Sequence, residues 1–380
     1  MHEHKHNQCR RKVKHRKNVM KLIIFCITVG ISLMFIYYQN LRKEIDARQK
    51  WLETVLTGEK KWILENQGPE GEFYMNGSKA GDVNPYFACM AALGLLAETK
   101  NCPITETEKK AVGRYLDWHT GILLETDGKM GIYRKKSGKL IYKEKADSED
   151  GYLGMYLFLM GKYLEKTEST DLPEYWKKGI SLALKKIQSL MQDGITQVSE
   201  ENTTVYLMDN LEVWKGLYEL EHAGLKDVQA IREMRNKLQA QIEKLFWDDA
   251  NQRWRIIENS NLYHQKEFYP DGVAQIYPLI YEFPVKEKKK QKILYKQFTE
   301  RFQWQKLTKK RNGFLWAMTG MAAAQMGDIN NLLEMIRNYE AEYCENRKYP
   351  LYTGEAGWIC MECEKLYSLY ERKIKTGFLV

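Results

Sequence analysis

The sequence predicts an all-α fold, an (α/α)6 toroid of six helical hairpins preceded by an N-terminal transmembrane helix. Three observations predict it. Twelve segments carry helical periodicity, and the connections between them alternate long and short. The even-numbered segments are apolar nearly all round, whereas the odd-numbered ones are amphipathic. Short links make antiparallel neighbours, so the alternation gives six hairpins with every long loop at one end. Six buried helices inside six surface helices make a closed double ring. A solenoid of stacked hairpins predicts no such inner and outer difference, and no repeat of fixed period is present.

Residues 1–21 carry eight Lys/Arg against the single acid Glu3, a local charge of +7 out of a formal +9. The rest of the chain is left with +2, which removes the main support for a nucleic-acid partner. His2, His4, His6 and His15 fall in the same tail, which reads as a solvated cationic stretch drawn to anionic lipid rather than a metal site. Residues 22–38 are free of charge and just reach the ~17 apolar residues at the lower end of membrane spans. Tyr37 and Tyr38 suit the far interface, and no Ala-x-Ala cleavage pattern follows. The segment therefore reads as an uncleaved signal anchor in the cell membrane. Its positive flank stays cytoplasmic, a charged stalk spans 39–50, and residues 51–380 form an extracellular domain.

The helical segments are expected at 51–66, 84–98, 106–121, 147–165, 172–190, 204–222, 226–246, 269–282, 287–303, 313–326, 328–343 and 354–371. Tyr86-Phe-Ala-Cys-Met-Ala-Ala-Leu and Phe314-Leu-Trp-Ala-Met-Thr-Gly-Met typify the inner set, and 226–246 and 287–303 typify the outer set. The seven cysteines show no metal-ligand spacing: Cys360 and Cys363 are spaced for a helix, without His partners in a knuckle. No metal or cofactor is expected.

If the long loops share one end, so do the starts of the even helices. Those starts bring Tyr86; Asp147, Asp150 and Tyr152; Tyr206, Asp209 and Glu212; Tyr269 and Asp271; Trp316; and Glu355 and Trp358. The pattern outlines an acidic, aromatic-lined cavity. Tyr74 and Tyr133, in glycine-flanked loops, are expected to face the same groove. Aromatic faces suit the C–H faces of sugar rings, and carboxylates bind sugar hydroxyls. Each acid also has a plainer reading, since Asp and Glu cap helix N-termini and oppose the macrodipole. That reading fits Asp147, Asp150 and Asp271. Asp209 fits it less well, lying inside its helix between Met208 and Leu211. Glu212, one turn further, shares its face and reads as a partner that raises or orients it.

These stretches, with Asn84-Pro-Tyr-Phe-Ala88, Asp147-Ser-Glu-Asp-Gly-Tyr152, Tyr206-Leu-Met-Asp-Asn210, Tyr269-Pro-Asp271 and Glu355-Ala-Gly-Trp358, resemble the six-hairpin glycosidase superfamily over residues 51–372. They look most like a Gram-positive, membrane-anchored branch. The resemblance implies a glycoside hydrolase with two carboxylates, mostly inverting, acting on an oligo- or polysaccharide. Asp209 is expected in one catalytic role and Asp150 or Asp147 in the other. Glu212, Asp271, Glu355 and the aromatic residues are expected to bind substrate. The Glu-Gly-rich entry to the second helix of the endoglucanase and chitosanase family is replaced here by Glu70 and Glu72 in another context. Two other functions fit the same fold. A polysaccharide lyase would use a Tyr or a histidine among His119, His222 and His264. A non-catalytic glycan-binding or assembly component would use the aromatics alone.

Overall fold

The computed structural model describes residues 2–77, 81–136, 139–169, 172–258, 267–307 and 313–376. It divides into two units, Met1–Leu52 with Arg372–Val380, and Glu53–Glu371. The helix α1 (His2–Glu65) is long and apolar enough from Met20 onward to cross a membrane. Its apolar side chains between Met20 and Tyr38 are exposed.

The second unit is the helical ring. The last turns of α1 form its first outer helix. Then come α2 (Pro85–Leu95), α3 (Glu106–Glu125), α4 (Glu149–Thr167), α5 (Glu174–Leu190) and α6 (Leu207–His222). They are followed by α7 (Gln229–Phe246), α8 (Val273–Ile280), α9 (Lys288–Phe302), α10 (Thr319–Met326), α11 (Ile329–Tyr339) and α12 (Thr353–Thr376). Local sequence explains the starts. Asn84 caps α2 ahead of Pro85, Thr105 and Glu108 form a reciprocal capping box on α3, and Ser148 caps α4.

The even helices form the inner ring. α2, α4, α6, α8 and α10 are each packed on the next. Glycines permit the closest approaches. A Cβ on Gly216 of α6 would lie 2.3 Å from the Gly154 carbonyl oxygen of α4, so no other residue fits there. The ring closes in the same way: a Cβ on Gly357 of α12 would lie 2.0 Å from the Met90 carbonyl oxygen of α2. The odd helices bury one stripe only. In α7 it is Ile231, Leu238, Ile242 and Phe246, at helical spacing, with charged residues on the other face.

The structure departs from the sequence reading in three places. The long connection after α3 is a hairpin, β2 (Gly131–Lys136) and β3 (Lys139–Lys145), joined antiparallel to β1 (Asp82–Val83) in the order β1-β2-β3. Two further hairpins, β4 (Met191–Gln192) with β5 (Ile195–Thr196) and β6 (Trp247–Asp248) with β7 (Arg253–Trp254), fill other connections. Finally, α8 and α10 begin later than expected. Residues 268–272 form a separate π-turn with extended backbone at Tyr269, and Trp316 takes a left-handed conformation at φ +60°.

Candidate active site

A cavity of about 600 Å³ opens at the end of the ring where the inner helices start. Asp209, Glu212, Asp147 and Glu355 line it, with Tyr86, Tyr152, Tyr269, Trp316 and Trp358. These nine are the sequence-expected residues that the fold brings together. Asp209 lies half-buried in the first turn of α6, and Asp147 is exposed just before α4.

Asp150 does not join the lining. It is fully buried behind the wall, where Oδ1 accepts from Ser148 Oγ at 2.8 Å and from the Gly151 amide at 3.0 Å. Its Oδ2 accepts from Thr196 Oγ1 at 2.7 Å. Burial raises its pKa to about 6 against these hydrogen bonds. Asp209 is pushed well above the usual carboxylate range, first by burial and then by the charges of Asp150 and Glu212.

Glu212 is the most enclosed acid of the lining. Its Oε1 accepts from the Tyr277 hydroxyl at 2.6 Å, from the Tyr281 hydroxyl at 3.3 Å, and from the Tyr86 hydroxyl. Burial raises its pKa to about 8 even though the phenols oppose the shift. Glu355 is a brace. Its Oε1 accepts from the amides of Leu315 and Trp316, each at 3.1 Å, and its Oε2 from that of Ala317 at 2.8 Å. Burial nevertheless raises its pKa to about 7. The three amides turn inward toward this carboxylate, which accounts for the late start of α10.

The remaining expected residues lie elsewhere. Tyr74 is buried, not facing a groove, because its hydroxyl donates to Glu72 Oε1 at 2.7 Å. Tyr133 is buried as well. Strand residues alternate faces, so in β2 Ile132 meets the cavity while Tyr133 turns away and packs on Trp118. Tyr206 sits outside the lining, at the N-cap of α6, where it pairs with Ile257 across an isolated bridge. Asp271 is buried in the π-turn and also lies outside the lining. His119 is buried against Tyr115 and Tyr156, and burial lowers its pKa to about 3. His222 packs on Tyr218, and His264 lies outside the described residues.

Sequence reasoning missed Tyr277, Phe87, Phe314 and the hairpin residues Lys143, Glu144 and Lys145. Tyr277 had a signal. It falls four residues before Tyr281 on an inner helix, one face aimed at α6. The hairpin had none, because its placement depends on pairing with β1.

No protein-family model and no curated protein sequence matches this chain. Several solved structures share its architecture, three of which follow. A glycosidase superposes over 85% of this chain and 98% of its own, with a TM-score of 0.61 at 12% identity. An α-1,6-mannanase of Salegentibacter sp. HEL1_6, an inactive variant with two consecutive aspartates exchanged and α-1,6-mannotetrose bound, covers 84% and 99% with a TM-score of 0.57 at 10% identity. A D-mannose isomerase covers 84% and 97% with a TM-score of 0.56 at 12% identity. The chain thus shares the (α/α)6 fold of these solved structures. The isomerase shows that this fold hosts more than one chemistry, so function rests on the site.

Proposed function

We propose that the chain is a membrane-anchored glycoside hydrolase that inverts at the anomeric carbon and acts outside the cell on an exopolysaccharide or wall glycan. One observation carries this reading: two acids in unlike surroundings, Asp209 and Asp147, share one aromatic-lined cavity. Asp209, whose burial and acidic neighbours favour the protonated form, gives its proton to the leaving glycosidic oxygen. Asp147, open to solvent, accepts a proton from the water that attacks the opposite face of the sugar. Asp150 never meets substrate. Its charge, behind Ser148 and Thr196, helps to keep the proton on Asp209.

The mannanase variant lost two consecutive aspartates. In this chain Asp209 is followed by Asn210, whose amide group spans the Thr196 and Tyr206 carbonyls at 2.9 Å each. The consecutive pair Asp248 and Asp249 lies on and beside β6, outside the cavity lining. Hydrolysis here therefore draws its two acids from separate helix starts. The bound mannotetrose of that neighbour makes α-1,6-mannan the first substrate to try. The exposed apolar helix from Met20 supports the anchor, with the basic tail inside and the ring outside.

The test uses the full chain in detergent with α-1,6-mannan, xylan and chitosan. New reducing ends, and an inverted anomer in proton NMR of the first product, are expected. A retained anomer, or no cleavage of any of the three, overturns the reading. An unsaturated, ultraviolet-absorbing product would identify a lyase instead, and binding without turnover a glycan-binding component.

A further inference from the structure

Six aromatic rings form a connected path that begins in the cavity and leaves it. Tyr269 and Trp316 lie 4.7 Å apart between centroids, Trp316 and Phe314 6.0 Å, Phe314 and Tyr352 5.5 Å, and Tyr352 and Tyr349 6.2 Å. Phe87 stacks on Phe314 at 5.3 Å and flanks the middle of the path. Tyr269, Trp316, Phe314 and Phe87 line the cavity, whereas Tyr352 and Tyr349 lie beyond it. None of the six is buried, and Tyr349 at the outer end is 57% exposed. Core aromatics of this chain, such as Tyr115 and Phe73, pack with little or no exposure. A run of half-open rings keeps apolar surface in water that burial would otherwise remove, and such a surface marks a binding face.

The path is also held rigidly. Glu355 fixes the backbone at Leu315, Trp316 and Ala317 through its side chain, and its own amide donates to the Tyr352 carbonyl at 3.0 Å. One residue therefore sets the positions of both loops that carry the rings. The Tyr349 hydroxyl sits over Gly313, where a Cβ would approach it to 2.8 Å.

We propose that Tyr352 and Tyr349 continue the cavity as an open-ended track for a polysaccharide chain, so that the ligand is an internal stretch of polymer rather than a free terminal sugar. This rests on the glycan reading of the cavity and deepens it. The rings along the path lie 4.7–6.2 Å apart between centroids and are turned 35–79° to one another, so their solvent-exposed parts present both face and edge to the C–H surfaces of a glycan, and the exposed end leaves the chain free to run on. Rigid aromatic side chains do this at low entropic cost.

The experiment is affinity electrophoresis of the full chain in detergent, in gels cast with α-1,6-mannan, xylan or chitosan. At least one polymer is expected to retard the chain. Tyr349→Ala is expected to weaken that retardation about fivefold, the scale of one lost ring contact. Tyr349→Phe keeps the ring and is expected to retain it, which separates stacking from any effect on the fold. Equal retardation of Tyr349→Ala and the parent chain overturns the proposal, as does retardation by none of the three. If retardation depends on Tyr349 but no polymer is cut, the track stands and the hydrolase reading falls.

Discussion

The Tyr277 hydroxyl donates to Glu212 Oε1 at 2.6 Å, tying α8 to α6 at the floor of the cavity. Tyr281 and Tyr86 donate to the same oxygen. Three phenols on one oxygen leave Oε2 with Gly151, whose Cβ, if present, would approach it to 2.7 Å. Burial raises Glu212 to about 8 from an ordinary 4.5, so the folded protein favours its neutral form. Its contribution to stability is present in full below pH 4.5, declines as the pH rises, and is lost above about pH 8. Tyr277→Phe removes a hydrogen bond that favours the charged form. Thermal melts from pH 4 to 10 are expected to show the decline continuing to a higher pH in that variant than in the parent.

Asp209→Asn tests the proposed proton donor. Hydrolysis is expected to fall at least about a hundredfold, the scale of general acid catalysis. Because burial and Asp150 disfavour the charge on Asp209, the variant is also expected to be no less stable than the parent. The sign follows from the raised pKa: the parent loses stability as the pH rises above an ordinary 3.8, and the variant does not. The melting-temperature gap in favour of Asn is expected to widen from pH 5 to pH 8.

Glu355→Ala strands three amides that now donate to one carboxylate. The expected loss is about 2–4 kcal/mol in denaturant unfolding, as for other buried groups left without partners. Loop 315–317 loses its anchor, so Trp316 fluorescence is expected to shift to the red at denaturant concentrations where the parent is still folded.

Gly357→Ala drives a methyl to 2.0 Å from the Met90 carbonyl oxygen at the closure of the ring. A loss of about 3 kcal/mol or more, or failure to fold, is expected. Gly121, inside α3, is the contrast. Nothing lies within 4 Å of a Cβ built there, and Gly121→Ala is expected to stabilise by about 0.5–1 kcal/mol.

Much of this molecule could be read from residue spacing. Apolar runs such as Tyr86 to Leu96 can be satisfied only inside a ring, and the stripe from Ile231 to Phe246 only on its outside. The meeting of Asp147, Asp209, Glu212 and Glu355 followed from loop lengths, because alternating short links put the inner helix starts at one end. The reading misplaced Tyr74, Tyr133, Tyr206 and Asp271 because a residue's exposure depends on the partner across from it. Glu72 draws Tyr74 inward, and pairing of β2 with β1 sets which face Tyr133 takes.

The sequence by itself determined the long apolar stretch near the N-terminus, the helix count and the even helices as the inner wall, since hydrophobic periodicity is a local property. Only the tertiary structure decided that Asp150 lies behind the wall, that three tyrosines converge on Glu212, and that Glu355 braces the aromatic path. Those are contacts between residues up to 126 positions apart, Tyr86 with Glu212 being the longest of them on the cavity floor. No spacing rule reaches that far, because the distance is set by how rigid helices pack and not by the chain between them.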